Sequence, residues 1–289
     1  MYVVAGVTGN VGSTVANELL GSGKQVRVIV RNAKKGERFE KQGADVAVGA
    51  LDDVKFLTGA LKDAEAAFLF VPPNYATNDY RGFQHEIADA IGAAVEKSGV
   101  PYVVALSSMG ADQEAGLGPI VGLNYFEKRL RETGAKLTVL RPGFFAENLA
   151  SALEPAQKQG IHVSFMPEEL AIPMIATRDI GVEAANALVS APAGHQVVDM
   201  VGPAYSAVDV AKLLGDRLGK ELQIVTIPPD GWMDAFLQSG LPQHFAELYT
   251  EMYAGFSKGL AQPVGDRLVE GKTTLDTVLD SMLAGAENG

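Results

Sequence analysis

Short apolar runs alternate with longer amphipathic stretches over the first two hundred residues of the chain. Seven runs, several of them rich in valine, occupy residues 2–6, 26–30, 45–48, 66–71, 102–106, 137–140 and 196–200. Such runs are typical of strands that are buried on both faces of a parallel sheet. The stretches between them, such as 11–20 and 78–97, are long enough for crossover helices. The pattern predicts an α/β fold with a doubly wound parallel sheet.

The pattern changes near residue 150. Residues 151–173 contain three prolines and no sustained period, and helical patterns dominate after Gly202-Pro203. Residues 174–202 return to a helix followed by the seventh strand. We therefore predict a large domain over 1–150, completed by 174–202. A smaller, mostly helical C-terminal lobe is predicted to consist of 151–173 and 203–289. No low-complexity linker separates the two parts, so we expect them to pack together around a cleft.

A glycine motif stands between the first strand and the first helix, where the chain reads Gly6-Val-Thr8-Gly9-Asn10-Val11-Gly12. Glycines permit a tight turn and a close approach of the backbone to a pyrophosphate. The N-terminus of the following helix offers free N–H groups and a partial positive charge. At the start of a predicted βαβ unit, the motif indicates a dinucleotide-binding Rossmann domain.

The end of the second predicted strand bears on the choice of cofactor. An acidic residue there would hydrogen-bond the ribose of NAD and repel a 2′-phosphate. The chain instead reads Val30-Arg31-Asn-Ala-Lys34-Lys35, and no acid follows until Glu37. We expect Arg31 to bind the 2′-phosphate, with Lys34 or Lys35 adding charge, and therefore NADP(H) in preference to NAD(H). The alternative is a solvated loop whose charges bind nothing.

Composition narrows the classes of partner. The formal net charge is −11, which makes nucleic acid a poor partner, and the chain has no cysteine, which fits a reducing cytoplasm. No apolar run is long enough for a signal peptide or a membrane span. The four histidines are far apart and form no metal-binding pattern, so no metal is expected. A small-molecule substrate is expected, and monomer and homodimer both stay open.

The ordered markers along the chain resemble those of the NmrA-like group of atypical short-chain dehydrogenases/reductases. That group includes quinone, azo-dye and triphenylmethane-dye reductases of bacteria, and NADP-sensing regulators that catalyse nothing. The markers are the glycine motif, Val30-Arg31, Leu106-Ser107-Ser108, the segment Leu140-Arg-Pro-Gly-Phe-Phe-Ala-Glu-Asn148, and Ile172-Pro-Met-Ile-Ala-Thr-Arg-Asp-Ile180. The resemblance covers almost the whole chain and implies a seven-stranded Rossmann sheet with a smaller C-terminal substrate lobe.

Motif and resemblance together supply the expected binding residues. The expected cofactor-binding residues are Gly6, Thr8, Gly9, Asn10, Val11, Gly12, Arg31, Leu51, Val71, Pro72, Pro73, Ser107, Pro142, Gly143, Phe144 and Phe145. The expected substrate residues are Phe145, Asn148 and Trp232. These cofactor loops follow predicted strand ends, where doubly wound sheets bind ligands.

The catalytic candidates are Ser108, Tyr125 and Lys128. Short-chain dehydrogenases use a Ser, a Tyr and a Lys four residues after the Tyr, so that the ammonium lowers the pKa of the phenol. Here Lys128 stands at the third position after Tyr125, and Arg129 occupies the fourth. Ser108 is a candidate hydrogen-bond donor to the substrate, or a polar strand end satisfied by the backbone. Tyr125 is a candidate acid, a helix surface residue, or a tyrosine that lines the cleft. The absent Tyr-x-x-x-Lys pair argues against a sugar-nucleotide epimerase.

An aromatic series occupies one face of a predicted helix over residues 242–258, at Phe245, Tyr249, Tyr253 and Phe256. It is interpreted as core packing, as a wall for a flat substrate, or as a dimer surface. The resulting hypothesis is an NADPH-dependent oxidoreductase that passes hydride to a small conjugated acceptor such as a quinone or dye. The alternative is a non-catalytic NADP(H)-sensing regulator.

Overall fold

The computed structural model describes residues 1–287. Within them the strands are β1 (Tyr2–Val4), β2 (Val26–Val30), β3 (Asp45–Val48), β4 (Ala66–Phe70), β5 (Tyr102–Leu106), β6 (Lys136–Pro142), β7 (Phe144–Phe145), β8 (Ile161–Ser164), β9 (Ile172–Ile175), β10 (Gln196–Val201), β11 (Ala204–Tyr205), β12 (Gln223–Thr226) and β13 (Arg267–Glu270). The helices are α1 (Asn10–Gly21), α2 (Glu37–Glu40), α3 (Val54–Leu61), α4 (Tyr80–Ser98), α5 (Val121–Arg131), α6 (Ala150–Gln159), α7 (Thr177–Val189), α8 (Ala207–Leu218), α9 (Trp232–Gln238), α10 (Gln243–Ser257) and α11 (Leu275–Glu287).

The main sheet has the strand order β13-β10-β6-β5-β4-β1-β2-β3, and every neighbouring pair is parallel. The predicted doubly wound parallel sheet is therefore confirmed. From β1 the chain winds through β2 to β3 at one edge, and from β4 onward it winds toward the other edge. The direction of winding reverses between β1 and β4, which is where open α/β sheets form their ligand crevice.

Two apolar layers cover the sheet. On one face α1 and α7 pack through Val15 and Ile180, together with Val4 of β1. On the other face α3, α4 and α5 pack against the neighbouring β1 residue, Val3. Successive side chains of a strand point to opposite faces, so an all-apolar strand supplies both layers. This arrangement explains why the continuous valine-rich runs predicted the strands well.

The sheet has an eighth strand, so the seven strands that the resemblance implied were one too few. Strand β13 pairs with β10 at the edge, and it brings residues 267–270 out of the predicted lobe segment into the main sheet. Asp199 of β10 accepts hydrogen bonds from the backbone N–H groups of Val264 and Gly265, which anchors the approach to β13. The run Arg267-Leu-Val-Glu270 is too short and too polar to stand out, because an edge strand is partly exposed.

The remaining elements, most of them in the segments predicted as the lobe, lie outside the main sheet. Strands β8 and β12 pair in parallel, while β7, β9 and β11 form a separate three-stranded sheet. Helices α8 and α11 pack around Leu214 and Leu279, and α9 packs against α10 through Trp232 and Phe236. The helix predicted over 242–258 matches α10. No helix within residues 1–287 is long and apolar enough to cross a bilayer.

Helix α10 joins the lobe to the main domain by close backbone contact. A Cβ atom at Gly118, whose φ is +49°, would lie 2.0 Å from the carbonyl oxygen of Leu248 in α10. The N–H of Gly116 donates to the Glu251 carboxylate of α10 at 2.9 Å. One turn before Leu248, on the same face of the helix, Nε2 of His244 accepts from the N–H of Tyr80 at 3.1 Å. These contacts fix α10 beside the loops that follow β4 and β5.

The Gly118 contact supplies a stability test. We expect Gly118→Ala to lower the free energy of unfolding by about 3 kcal/mol, because backbone strain at positive φ adds to overpacking against Leu248. Gly134→Ala is the matched control, since Gly134 also has a positive φ of +77° but nothing within 4 Å of the added Cβ. It should cost only about 1 kcal/mol. Urea unfolding followed by circular dichroism measures both, and equal losses would contradict the close-packing account.

Candidate cofactor and active site

The glycine motif forms a turn with no room for side chains at its base. Gly6 has a φ of +71°, and its carbonyl accepts from the N–H of Gly9 at 2.9 Å. A Cβ atom at Gly12 would lie 2.5 Å from the carbonyl carbon and oxygen of Gly6. The first turn of α1 therefore lies directly on the end of β1. Any larger residue at position 12 would push the helix away from the turn.

The N-terminus of α1 is suited to an anion. Its N-cap is Gly9, no side chain caps the first turn, and the first turn contains no acidic residue. Thr8, Gly9 and Asn10 are exposed. By contrast, α8 begins with a complete capping box in which Ser206 and Asp209 satisfy each other's backbone N–H groups. Uncapped N–H groups and the helix dipole favour a bound phosphate at the start of α1.

Basic side chains surround the end of β2. Arg31 is exposed directly after the strand, and the Asn32 side chain accepts from the N–H of Lys34 at 3.0 Å, which orders the turn. Arg38 in α2 was not among the predicted site residues. Its Nη2 donates to the carbonyl oxygen of Val7, inside the glycine turn, at 2.9 Å. Sequence spacing gave no signal for this contact, because only the fold brings α2 back to the turn.

The loop after β4 lies on the other side of the crevice from the glycine turn. A Cβ atom at Gly6 would meet the ring of Phe70, the last residue of β4, at 2.5 Å, so the glycine turn lies directly beside this strand end. Val71 is buried, Pro72 is half-buried and Pro73 is exposed. The structure thus brings these predicted residues to the point where the winding of the sheet reverses.

Backbone hydrogen bonds join the loops that follow β5, β6 and β10. The N–H of Ser107 donates to Leu140 at 2.8 Å, and that of Met109 donates to Pro142 at 3.0 Å. The N–H of Gly143 donates to Met200 at 2.9 Å. Ser108 is half-buried, and its hydroxyl donates to the carbonyl of Met109 at 3.1 Å. The predicted residues Ser107, Ser108, Pro142 and Gly143 therefore lie together at one edge of the sheet.

A buried ionic cluster lies beneath these loops. Both guanidinium nitrogens Nε and Nη2 of Arg141 donate to the Glu127 carboxylate, at 2.8 and 2.6 Å, and the Ser107 hydroxyl donates to it at 2.6 Å. Burial alone would lower the pKa of Arg141, but the hydrogen bonds and charge of Glu127 outweigh burial and raise it. A bidentate pair of this kind is strong and geometrically specific. The helical pattern gave Glu127 no distinction from an exposed residue.

The structure does not bring Tyr125 and Lys128 to a common partner. The Tyr125 hydroxyl donates to Asp89 of α4 at 2.8 Å, and its ring stacks on that of His85 with centroids 4.0 Å apart. The hydrogen bond to Asp89 is the main reason that the pKa of Tyr125 is raised. Lys128 is exposed and pairs with Glu114 at 2.6 Å. Their catalytic roles stay predictions.

The predicted substrate residues fall in different surroundings. Phe145 is half-buried at the edge of the main core, and Asn148 is exposed. Trp232 is only 4% exposed, and its indole N–H donates to the carbonyl of Ile227 at 2.9 Å. The neighbouring Glu147 accepts from the N–H and hydroxyl of Thr177 at the start of α7, which fixes the loop after β6.

The aromatic series of α10 is divided between several packing contacts. Phe245 is fully buried, and Tyr249 and Tyr253 pack around Phe236 in the lobe. Phe256 packs against the segment that contains Leu117. Burial raises the pKa of Tyr253 to about 12. Core packing is therefore the interpretation that these contacts support for most of this face.

The parallel sheet, its reversal point and the uncapped glycine turn define a protein of the dinucleotide-binding α/β class. The sequence model of the NmrA-like family matches residues 2–279. The chain belongs to the NmrA-like family.

Named relatives cover nearly the whole chain. The NAD(P)H azoreductase of Xenophilus azovorans is 28% identical over 260 residues, which is 88% of this chain and 86% of the relative. Quinone oxidoreductase 2 of Escherichia coli (strain K12) is 28% identical over 264 residues, which is 90% of this chain and 89% of the relative. The fold is also similar to that of the Citrobacter sp. triphenylmethane reductase complexed with NADP(H). That similarity has a TM-score of 0.83 and 20% identity, and it covers 98% of this chain and 100% of the other.

The buried ionic cluster supplies the second stability test. Glu127→Ala should lower the free energy of unfolding by about 3–5 kcal/mol, because it leaves the buried Arg141 guanidinium without its bidentate partner and with only Asp112 at 3.7 Å. The control is Glu114→Ala, which removes an exposed partner of Lys128 and should cause no measurable loss. The double variant Glu127→Leu with Arg141→Met should lose less than Glu127→Ala, since neither charge then stays buried alone. Chemical denaturation measures all three, and a small loss in Glu127→Ala would contradict this account.

Proposed function

We propose that the protein is an NADPH-dependent oxidoreductase that transfers hydride to a small conjugated acceptor such as a quinone or dye. The observation that carries the proposal is the uncapped glycine turn, with Gly12 packed on Gly6, at the reversal point of the sheet. Support comes from the relatives named as NAD(P)H azoreductase and quinone oxidoreductase. The glycine turn, the uncapped start of α1 and the reversal point all lie at the same end of the main sheet.

Each loop around the crevice has a distinct role in the proposed binding of the cofactor. The first-turn N–H groups of α1 hold the pyrophosphate, and the loop Val71-Pro72-Pro73 supports the nicotinamide ribose. Pro142–Phe145 and Ser107-Ser108 face the nicotinamide, with Leu51 near the adenine. The bound nicotinamide supplies the hydride, and the protein supplies position and a site from which water is excluded.

NADP(H) is proposed as the preferred cofactor because cations converge on the turn. Arg31 is exposed at the end of β2, and Arg38 is fixed against Val7 of the glycine turn. Guanidinium groups bind phosphates through several N–H groups at once. A chain with a net charge of −11 would otherwise repel a further phosphate. The two arginines give the 2′-phosphate a local partner.

The contacts of Tyr125 and Lys128, the acid–base candidates, indicate which kind of hydride acceptor the site suits. Tyr125 donates to Asp89 and Lys128 pairs with Glu114, so the two side chains are not arranged as a joint acid–base pair. Electron-poor acceptors such as quinones accept hydride directly, and water can supply the proton afterwards. We therefore propose an acceptor that needs positioning more than acid catalysis, with Ser108 as its candidate hydrogen-bond donor.

The same observation supports a second candidate, a non-catalytic NADP(H) sensor. A protein that only reads the redox state of the nicotinamide needs the glycine turn but no proton donor. Such a sensor must bind NADP⁺ and NADPH unequally and must link that difference to its assembly or to a partner. Catalysis is favoured here because two relatives of nearly full length are named as reductases.

The deciding experiment is NADPH oxidation by the purified protein. Absorbance of the reduced nicotinamide is followed after addition of 1,4-naphthoquinone, an azo dye or a triphenylmethane dye. We expect saturable turnover with at least one acceptor. Tight NADPH binding without turnover, together with unequal NADP⁺ affinity and a change in assembly, would favour the sensor. Absence of NADPH binding would refute both candidates.

The arginine pair supplies a test of cofactor choice. Arg38→Ala and Arg31→Ala should each weaken NADPH binding about tenfold or more, because each removes a charge-assisted hydrogen bond of about 1.5–3 kcal/mol. NADH binding should change little, since NADH has no 2′-phosphate. Lys41→Ala is the control, because Lys41 is an exposed cation just beyond α2. Cofactor titration by fluorescence measures each affinity. An equal loss for NADH and NADPH would contradict the assignment.

A further inference from the structure

Among the Phe, Tyr and Trp residues within 1–285, only Tyr75 is exposed, at 48%. The other large apolar side chains with comparable exposure are aliphatic. A single exposed apolar residue is ordinary on a protein surface. The position of Tyr75 and the way its ring is held distinguish it from such a residue.

Tyr75 lies at the crevice. It follows Pro73 by two residues in the loop between β4 and α4. That loop starts where the end of β4 touches the glycine turn, at Phe70 and Gly6. The exposed Tyr75 therefore belongs to the same loop as Pro72 and Pro73, which are proposed to support the nicotinamide ribose.

The lobe holds the Tyr75 ring from behind. Its centroid is 4.9 Å from that of Phe245, at an interplanar angle of 60°, which is an edge-to-face contact. Phe245 is itself fully buried and makes a second edge-to-face contact with Tyr80 at 4.7 Å. Burial first, and then the neighbouring Tyr75, raise the pKa of Tyr249 in α10. Tyr75 is thus held against α10 by the contact of its ring with Phe245.

A tied aromatic ring is preorganised for stacking. A free surface side chain loses rotamer entropy when it binds a ligand, at about 0.5–1.5 kcal/mol. The contact with Phe245 has already fixed this ring, so little further ordering is needed. The ring face of a phenol is electron-rich, and offset stacking on an electron-poor ring is favourable. The chemistry therefore matches an oxidised conjugated acceptor.

We propose that the exposed face of Tyr75 is the outer stacking surface for the acceptor and makes the site selective for planar, electron-poor acceptors with fused rings. This proposal rests on the proposed function, because it assigns a substrate-binding residue to the same crevice. A single-ring quinone overlaps the nicotinamide alone, whereas a fused-ring acceptor extends far enough to meet Tyr75. The lobe therefore contributes to selectivity through one loop residue that α10 holds in place.

The test measures binding without turnover. Protein saturated with NADP⁺ has no hydride to give, so 1,4-naphthoquinone can be titrated against it by calorimetry. Tyr75→Leu should bind the quinone about three- to tenfold more weakly, because it keeps an apolar side chain but loses the aromatic face. Tyr75→Phe should retain most of the affinity. The affinity for 1,4-benzoquinone should change little in either variant.

Two controls separate the proposal from its alternatives. Val189→Ala alters a side chain of similar exposure, 47%, at the far end of α7, and should leave quinone binding unchanged. The affinity for NADP⁺ should be the same in every variant. If the wild type reduces naphthoquinone and Tyr75→Leu binds it with unchanged affinity, the Tyr75 proposal is overturned. The proposed oxidoreductase function would still stand. Failure of the wild type both to bind and to reduce naphthoquinone would overturn the acceptor class itself.

Discussion

The contact between Gly12 and Gly6 is the constraint on which the proposed site depends. Because position 12 carries no side chain, the first turn of α1 lies directly on the end of β1, with its N–H groups directed past the turn. The same turn abuts Phe70 at the end of β4. A phosphate-binding helix end and the reversal point of the sheet therefore coincide. The proposed positions of the pyrophosphate and of the nicotinamide follow from that coincidence.

Contacts elsewhere in the molecule fix the loops that surround this crevice. The Glu127–Arg141 pair lies beneath the loops after β5 and β6, and Ser107 connects that pair to the edge of the sheet. Helix α10 is packed backbone to backbone against Gly118 in the loop after β5, and its His244 accepts from the first N–H of α4. The Glu127–Arg141 pair and the α10 contacts are both made by tightly packed or buried groups. Together they hold the loops around the crevice in place. The position of Tyr75 is a product of that attachment.

The sequence predicted the sheet well because strands buried on both faces must be apolar throughout. The glycine motif was also readable, since its spacing reflects the geometry of a single local turn. Strand β13 was missed because an edge strand such as Arg267-Leu-Val-Glu270 needs few apolar residues. Arg38 and Glu127 were missed for a different reason. Their partners, Val7 and Arg141, are distant in sequence, and helical periodicity does not reveal which polar residue becomes buried.

The structure of the protein crystallised with NADP⁺ is the most direct test of the central claim. The account predicts the pyrophosphate at the N-terminus of α1, the 2′-phosphate between Arg31 and Arg38, and the nicotinamide between the loop after β4 and the Pro142–Phe145 segment. A pyrophosphate bound anywhere other than the turn from Gly6 to Gly12 would contradict it.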